Sequence, residues 1–307
     1  MITRQKAFEK NQKLLKGNLH CHTTLSDGQC SPGTAIRQYA GAGYDFLAIT
    51  DHNRYNFKNY APETGVLILP AAELGRLSGD FNVKGHQVLH AVALGYEENN
   101  GFTDGQEIAF ENTGDMYGCQ DVFDTITDAG NISVLCHPEW SGNTVDEVCA
   151  LKGYSMLEVW NTGSALSFGV NTNAYHWDAL LDKGRKVYAV ASDDGHYPYE
   201  HCQSFIMVNA EKTVASILDA LKEGAFYAST GPEIYDFYVE DGVAVVHCST
   251  AVEISFRSFR TPNHSTRGEN LTGAQTKIRQ GTAYIRAEVV DANGRRAWTN
   301  PIFFDNI

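Results

Sequence analysis

The chain has 307 residues, 43% hydrophobic and 20% charged, the balance of a globular protein with room for one large domain or a large and a small one. A formal net charge of −13 argues against a nucleic-acid partner or an anionic membrane surface, since both are held by clustered Lys and Arg. No run of about 18 apolar residues occurs, the first residues lack the apolar core of a signal peptide, and the seven cysteines form no CxxC pair, so a cytoplasmic protein with reduced thiols and a small anionic substrate is expected.

Eight short apolar runs read as strands: 17–23, 45–52, 66–74, 86–96, 132–138, 155–161, 186–194 and 203–209. Their Val, Ile, Leu and aromatic content suits strands buried on both faces. Helical patterns lie between them with legible ends. Ser31-Pro32 starts one that Gly43 stops, and four more end at Gly130, Gly153, Gly184 and Gly224. Residues 97–118 are polar and glycine-rich, a long loop able to cover a site. Alternating strands and helices imply a parallel sheet, and seven or eight such units imply a barrel closed or nearly closed on itself. After 229–234 the pattern changes to alternating runs with Asp-Gly and Asn-Gly turns and no helix. The expected division is a catalytic barrel at 1–231 and a small all-β domain at 232–307.

In such a barrel, reactive side chains gather where the strands end. His20 and His22, in "HCHTTLSDG", lie at i and i+2 of a strand and point to one face, with Asp27 five residues later. Cys21 points the other way. His52 ends the second run and Glu73 the third; His90 lies in the fourth and His137 ends the fifth; Asp194 and His196 follow the seventh. Structural packing gives no reason for so many separate strand ends to terminate in His, Asp or Glu, whereas a metal centre does. His86 competes with His90, and Asp193 with Asp194; the second of each pair is preferred. His176 reads as a helix-face residue beside Trp177, and His201, His247 and His264 as surface residues.

These motifs resemble the polymerase and histidinol phosphatase (PHP) family. The likeness rests on "HCHTTLSDG", on "TDHN" at 50–53, on His137-Pro138 and on "SDDGH" at 192–196, and it covers roughly 17–210. The tail is similar to the carbaryl-hydrolase-like branch of metallohydrolases. The resemblance implies a distorted (β/α)7 TIM-like barrel with three metal ions. His20, His22, Glu73 and Asp194 would hold the first. Glu73 would bridge to a second, held also by His90 and His137. Asp27, His52 and His196 would hold the third.

Imidazole and carboxylate ligands without thiolate suit Zn, Mn or Fe alike. Three divalent ions outweigh the three carboxylates, so the site attracts an anion despite the acidic chain, and a phosphoryl group fits best. The expected activity is that of a metal-dependent hydrolase: a phosphoesterase attacking a small-molecule phosphate ester through a metal-bridging hydroxide. Arg54 and Asn161 are candidates for gripping substrate. Carbamate, ester or amide hydrolysis by the same centre is an alternative, as is a metal-stabilised binding module; a nuclease fits the acidic balance poorly.

Overall fold

The computed structural model describes residues 2–9, 13–78, 87–96, 101–111, 116–259 and 261–304. Strand β1 (Ile2–Arg4) precedes β2 (Leu15–Asn18); helix α1 (Pro32–Gly41) then leads to β3 (Phe46–Ala48) and β4 (Leu67–Leu69). β2, β3 and β4 are parallel neighbours. The apolar run 66–74 does not form one strand. Pro70, which has no amide proton to donate to a ladder, separates β4 from β5 (Ala71–Ser78). β5 pairs antiparallel with β6 (Gln87–Leu94), which is antiparallel to β7 (Ile132–Leu135). Parallel order resumes through β8 (Met156–Asn161) and β9 (Tyr188–Ser192).

The expected parallel barrel is therefore corrected to a mixed α/β arrangement. Strands β5 to β9 form one five-stranded sheet, and β2 to β4 belong to another. The eight-residue link between β5 and β6 is too short for a crossover helix, which forces that pair antiparallel. No continuous ladder closes the described strands into a ring. Single parallel bridges, His52 to Glu73 and Cys21 to Gly195, join the two sheets, and both fall among the motif residues.

Four of the five expected helix ends hold, whereas the one expected at Gly153 falls earlier, at Ala150, where Leu151 turns extended. Ser31 caps α1 by accepting from the Thr34 amide. Helix α2 (Gln120–Asp128) stops before Gly130, at φ +76°. Thr144 and Glu147 form a reciprocal capping box on α3 (Val145–Ala150). Helix α4 (Thr162–Phe168), unforeseen because "TGSALSF" is short and rich in small polar residues, is capped by Asn161. α5 (Ala174–Asp182) and α6 (Val214–Glu223) complete the six α-helices among the described residues. None of them is long and apolar enough to cross a membrane.

β10 (Phe205–Val208) pairs antiparallel with β2, and β11 (Phe226–Ser229) pairs antiparallel with β10 and carries the larger sheet into the tail. The tail holds β12 (Ile234–Glu240), β13 (Val243–Ser258), β14 (Thr261–Lys277), β15 (Tyr284–Val290), β16 (Arg296–Thr299) and β17 (Ile302–Phe303). Asp241 and Gly242, at φ +48° and +76°, make the two-residue turn between β12 and β13. β14 was not legible in the sequence. It is a polar edge strand that pairs only with β13, so it lacks the alternation of a half-buried strand.

One apolar core lies among β2 to β9 and α2, α3, α5 and α6; a second fills the tail, from Phe237, Val246, Ile254 and Val289; a third packs α1 on β3. Arg286, fully buried on β15, reaches from the tail to Asp178 of α5 at 2.6 Å and lies over the Trp177 ring. β1 also pairs with β12, so the N-terminal residues join the tail's sheet.

Candidate metal centre

The loop after β2 begins the site. His20 and His22 are fully buried, with their Nε2 atoms 3.1 Å apart. Asp51 holds the following turn, accepting from the Thr23 amide at 2.8 Å and from the Ser26 hydroxyl at 2.8 Å. Gly28 is required here, because a Cβ would stand 2.5 Å from the His22 carbonyl oxygen. The turn swings Asp27 back over the histidines, its side chain 55% exposed.

Glu73, on β5 and without solvent exposure, is the hub. His52 Nδ1 lies 2.7 Å from it, His90 Nδ1 2.8 Å, His20 and His22 Nε2 3.2 Å, and His137 Nε2 3.3 Å. Asp194 Oδ1 lies 3.0 Å from His22 Nε2 and 3.2 Å from His20 Nε2. Asp27 closes the outer side, 3.4 Å from His196 Nε2 and 3.5 Å from His52 Nε2. The structure thus brings together all nine residues singled out as ligands. Asn53, His137 and Asp194 have φ of +50°, +25° and +49°, so the backbone itself is turned into rarely used conformations to aim this cluster.

Among the described residues four groups of donors lie close enough to share an ion: His22, Asp27, His52 and His196; His20, His22 and Glu73; His52, Glu73 and His90; and His20, Cys136 and Glu158. The chemistry of the donor set fits divalent cations. Glu73 Oε2, Asp194 Oδ1 and His90 Nδ1 are buried but make no hydrogen bond, although nitrogens or oxygens lie near them. Each lies 2.7–3.0 Å from another member of the cluster, so the donors converge on one small space, and a buried polar atom without a hydrogen bond is costly.

Charge follows the same pattern. Burial opposes the proton on His20, but Asp194, Glu73 and Glu158 outweigh it and hold its pKa well above the usual value. Burial likewise acts against His52 and His196, yet Glu73 lifts the first to about 10 and Asp27 and Asp194 lift the second to about 9. Burial would raise Glu73 and Asp194, but the surrounding imidazoles hold both well below the usual carboxylate range. His90, where burial dominates, is lowered.

The ambiguous pairs resolve differently. Asp193 points away from the cluster and accepts from Tyr39, Thr162, Ser204 and the Cys202 amide, a structural anchor whose pKa burial raises to about 6. His86 lies outside the described residues, as do 97–100 and 112–115 of the expected covering loop; residues 105–108 of that loop pair with the backbone of Asn53 and Tyr55.

Neither expected substrate contact faces the cavity. Arg54 is directed at the loop, 3.8 Å from Glu107. Asn161 is spent internally: its amide donates to Glu158 and Asp194, and its oxygen accepts from Ser164. His201, expected at the surface, is buried between Gln38 and the Gly195 carbonyl because it packs on Tyr39. His176 is buried beside Trp177 and meets the Asn143 carbonyl.

Sequence reasoning missed Glu158. One oxygen lies 2.8 Å from His20 Nδ1 and takes the Ser192 hydroxyl; the other accepts from the His137 amide and from Asn161. Ser141 contacts His137 Nδ1 and the Asp194 carbonyl contacts His196 Nδ1. These partners turn Nε2 of all three histidines toward the cluster. A Glu inside "LEVWN" carries no such signal, except that a charge within a buried apolar strand needs a partner.

No protein-family model matches the chain, and no curated protein matches it. Among solved structures it is similar to a two-domain protein from Bacteroides vulgatus containing a predicted PHP-like metal-dependent phosphoesterase, at 14% identity and a TM-score of 0.51, covering 98% of both chains. Weaker likenesses, both at a TM-score of 0.42, are to a protein from Bifidobacterium adolescentis assigned as a metal-dependent phosphoesterase (17% identity, 59% of this chain and 87% of that one) and to an amidohydrolase from Chromobacterium violaceum with bound sulfate and no metal (16%, 68% and 96%). Over nearly its whole length, the chain shares the fold of that Bacteroides vulgatus protein.

Proposed function

We propose that this chain is a PHP-type, divalent-metal-dependent phosphoesterase acting on a small-molecule phosphate ester. The convergence of nine His, Asp and Glu side chains on one buried space, around Glu73 and Asp194, carries the reading. In it, His20, His22, Glu73 and Asp194 hold one ion, Glu73 with His90 and His137 a second, and Asp27, His52 and His196 a third. Zn, Mn and Fe all suit these donors. Ions bound there supply Lewis-acid activation of water and neutralise phosphoryl charge.

The chain's own residues supply the positioning. Glu158, Ser141 and the Asp194 carbonyl fix three imidazoles with Nε2 inward. Glu200 accepts from the His196 and Tyr197 amides and so holds the outer wall in place. We read 1–231 as the catalytic unit, a mixed α/β unit whose two sheets are joined by two isolated parallel bridges, and 232–307 as a β appendage tied on by Arg286. Seven free cysteines suit a reducing compartment such as the cytoplasm.

The test is His22→Ala. The variant is expected to lose divalent metal and to slow p-nitrophenyl phosphate hydrolysis by orders of magnitude. Faster wild-type turnover of p-nitrophenyl carbamate than of the phosphate would move the centre to carbonyl chemistry.

A further inference from the structure

The cluster opens into a cavity of about 540 Å³ whose far walls are aromatic. Trp140, from the turn after β7, lies edge-on to His137 with centroids 4.8 Å apart, and Phe168, the last residue of α4, lies edge-on to Trp140 at 5.6 Å. Tyr197 and Tyr199, from the loop after β9, stack on each other at 5.4 Å and 16°. Four rings from three separate segments therefore line the same cavity as the metal-ligating residues. Phe168 is 66% exposed and Tyr199 58% exposed, an unusual amount of ring surface to leave in water beside a charged centre. No Lys or Arg is among the described residues lining it.

We infer that the substrate carries an aromatic ring beside its phosphoryl group: the cluster takes the anion and the walls of Trp140, Phe168, Tyr197 and Tyr199 take the ring. Aromatic rings prefer offset or edge-to-face partners, and the exposed Phe168, Tyr197 and Tyr199 offer ring surface to one. Polar anchoring at one end with apolar burial at the other is the ordinary division of labour in a ligand site. The inference rests on the phosphoesterase reading for the anionic end only.

Binding to the metal-loaded protein separates the two. Phenylphosphonate, methylphosphonate and neutral phenylacetamide are titrated by calorimetry. Phenylphosphonate is expected to bind at least about tenfold more tightly than methylphosphonate, a difference of about 1.4 kcal/mol. In Phe168→Ala/Tyr199→Ala, two exposed positions, that ratio should shrink to about threefold or less. Equal affinities in the wild type would overturn the aromatic subsite while leaving phosphoryl recognition intact. Binding of phenylacetamide but of neither phosphonate would support the aromatic subsite and remove the phosphoryl reading. Binding of none of the three would overturn both.

Discussion

Glu158 Oε1 lies 2.8 Å from His20 Nδ1, and this one contact decides which nitrogen of His20 faces the cluster. The same carboxylate accepts from the His137 amide, so it orients two proposed ligands at once. In Glu158→Gln, one of the two oxygens becomes an NH2 group, and either His20 or the His137 amide loses its acceptor. Divalent-metal affinity, measured by competition with a chromogenic chelator, should fall about 10- to 100-fold. Unchanged affinity would show that the contact positions nothing.

The two adjacent aspartates should behave differently. Asp194 faces the imidazoles, so Asp194→Asn should lose metal while the fold persists. Asp193 is an acceptor for three neighbouring segments, so Asp193→Asn should keep metal and lose about 1.5–3 kcal/mol of stability, the worth of a hydrogen bond to a charged group. Metal assays and chemical denaturation of both variants check this, and an exchange of the two phenotypes would reverse the assignment.

Protons and metal should compete for the same imidazoles. His52 and His196 have folded pKa values of about 10 and about 9, both above the unfolded value near 6.5. Their contribution to the stability of metal-free protein is therefore complete below about pH 6.5 and is lost as pH rises through 9 to 10. At pH 8 both still carry protons, so adding divalent metal should release more than one proton per chain, read with an indicator dye in weak buffer. Metal binding without proton release would contradict this charge arrangement.

The site was far more legible in the sequence than the sheet. His20 and His22 announce themselves by period-2 spacing at a strand end, and Asp27 by the turn that Gly28 permits. Glu158 was not legible, because its role depends on His20 and His137, 138 and 21 residues away along the chain. The apolar run at 66–74 gave the right amount of strand but hid the break at Pro70, where the chain changes sheets. Pairing direction is set by which strands meet in space, and apolar composition is the same for both directions. β14 was hidden because a strand paired on one side only, with mostly exposed side chains, has no apolar face to declare itself.

Metal stoichiometry bears most directly on the whole account. Stripped wild-type protein titrated with Mn²⁺ should take up about three equivalents per chain, with the coupled folding stabilisation expected of a built site. Glu73→Ala, which removes the carboxylate within 3.3 Å of five histidines, should abolish most of that uptake. Wild-type protein that binds no divalent ion, or a Glu73→Ala variant that binds as much as the wild type, would contradict the claim that these side chains form one metal centre.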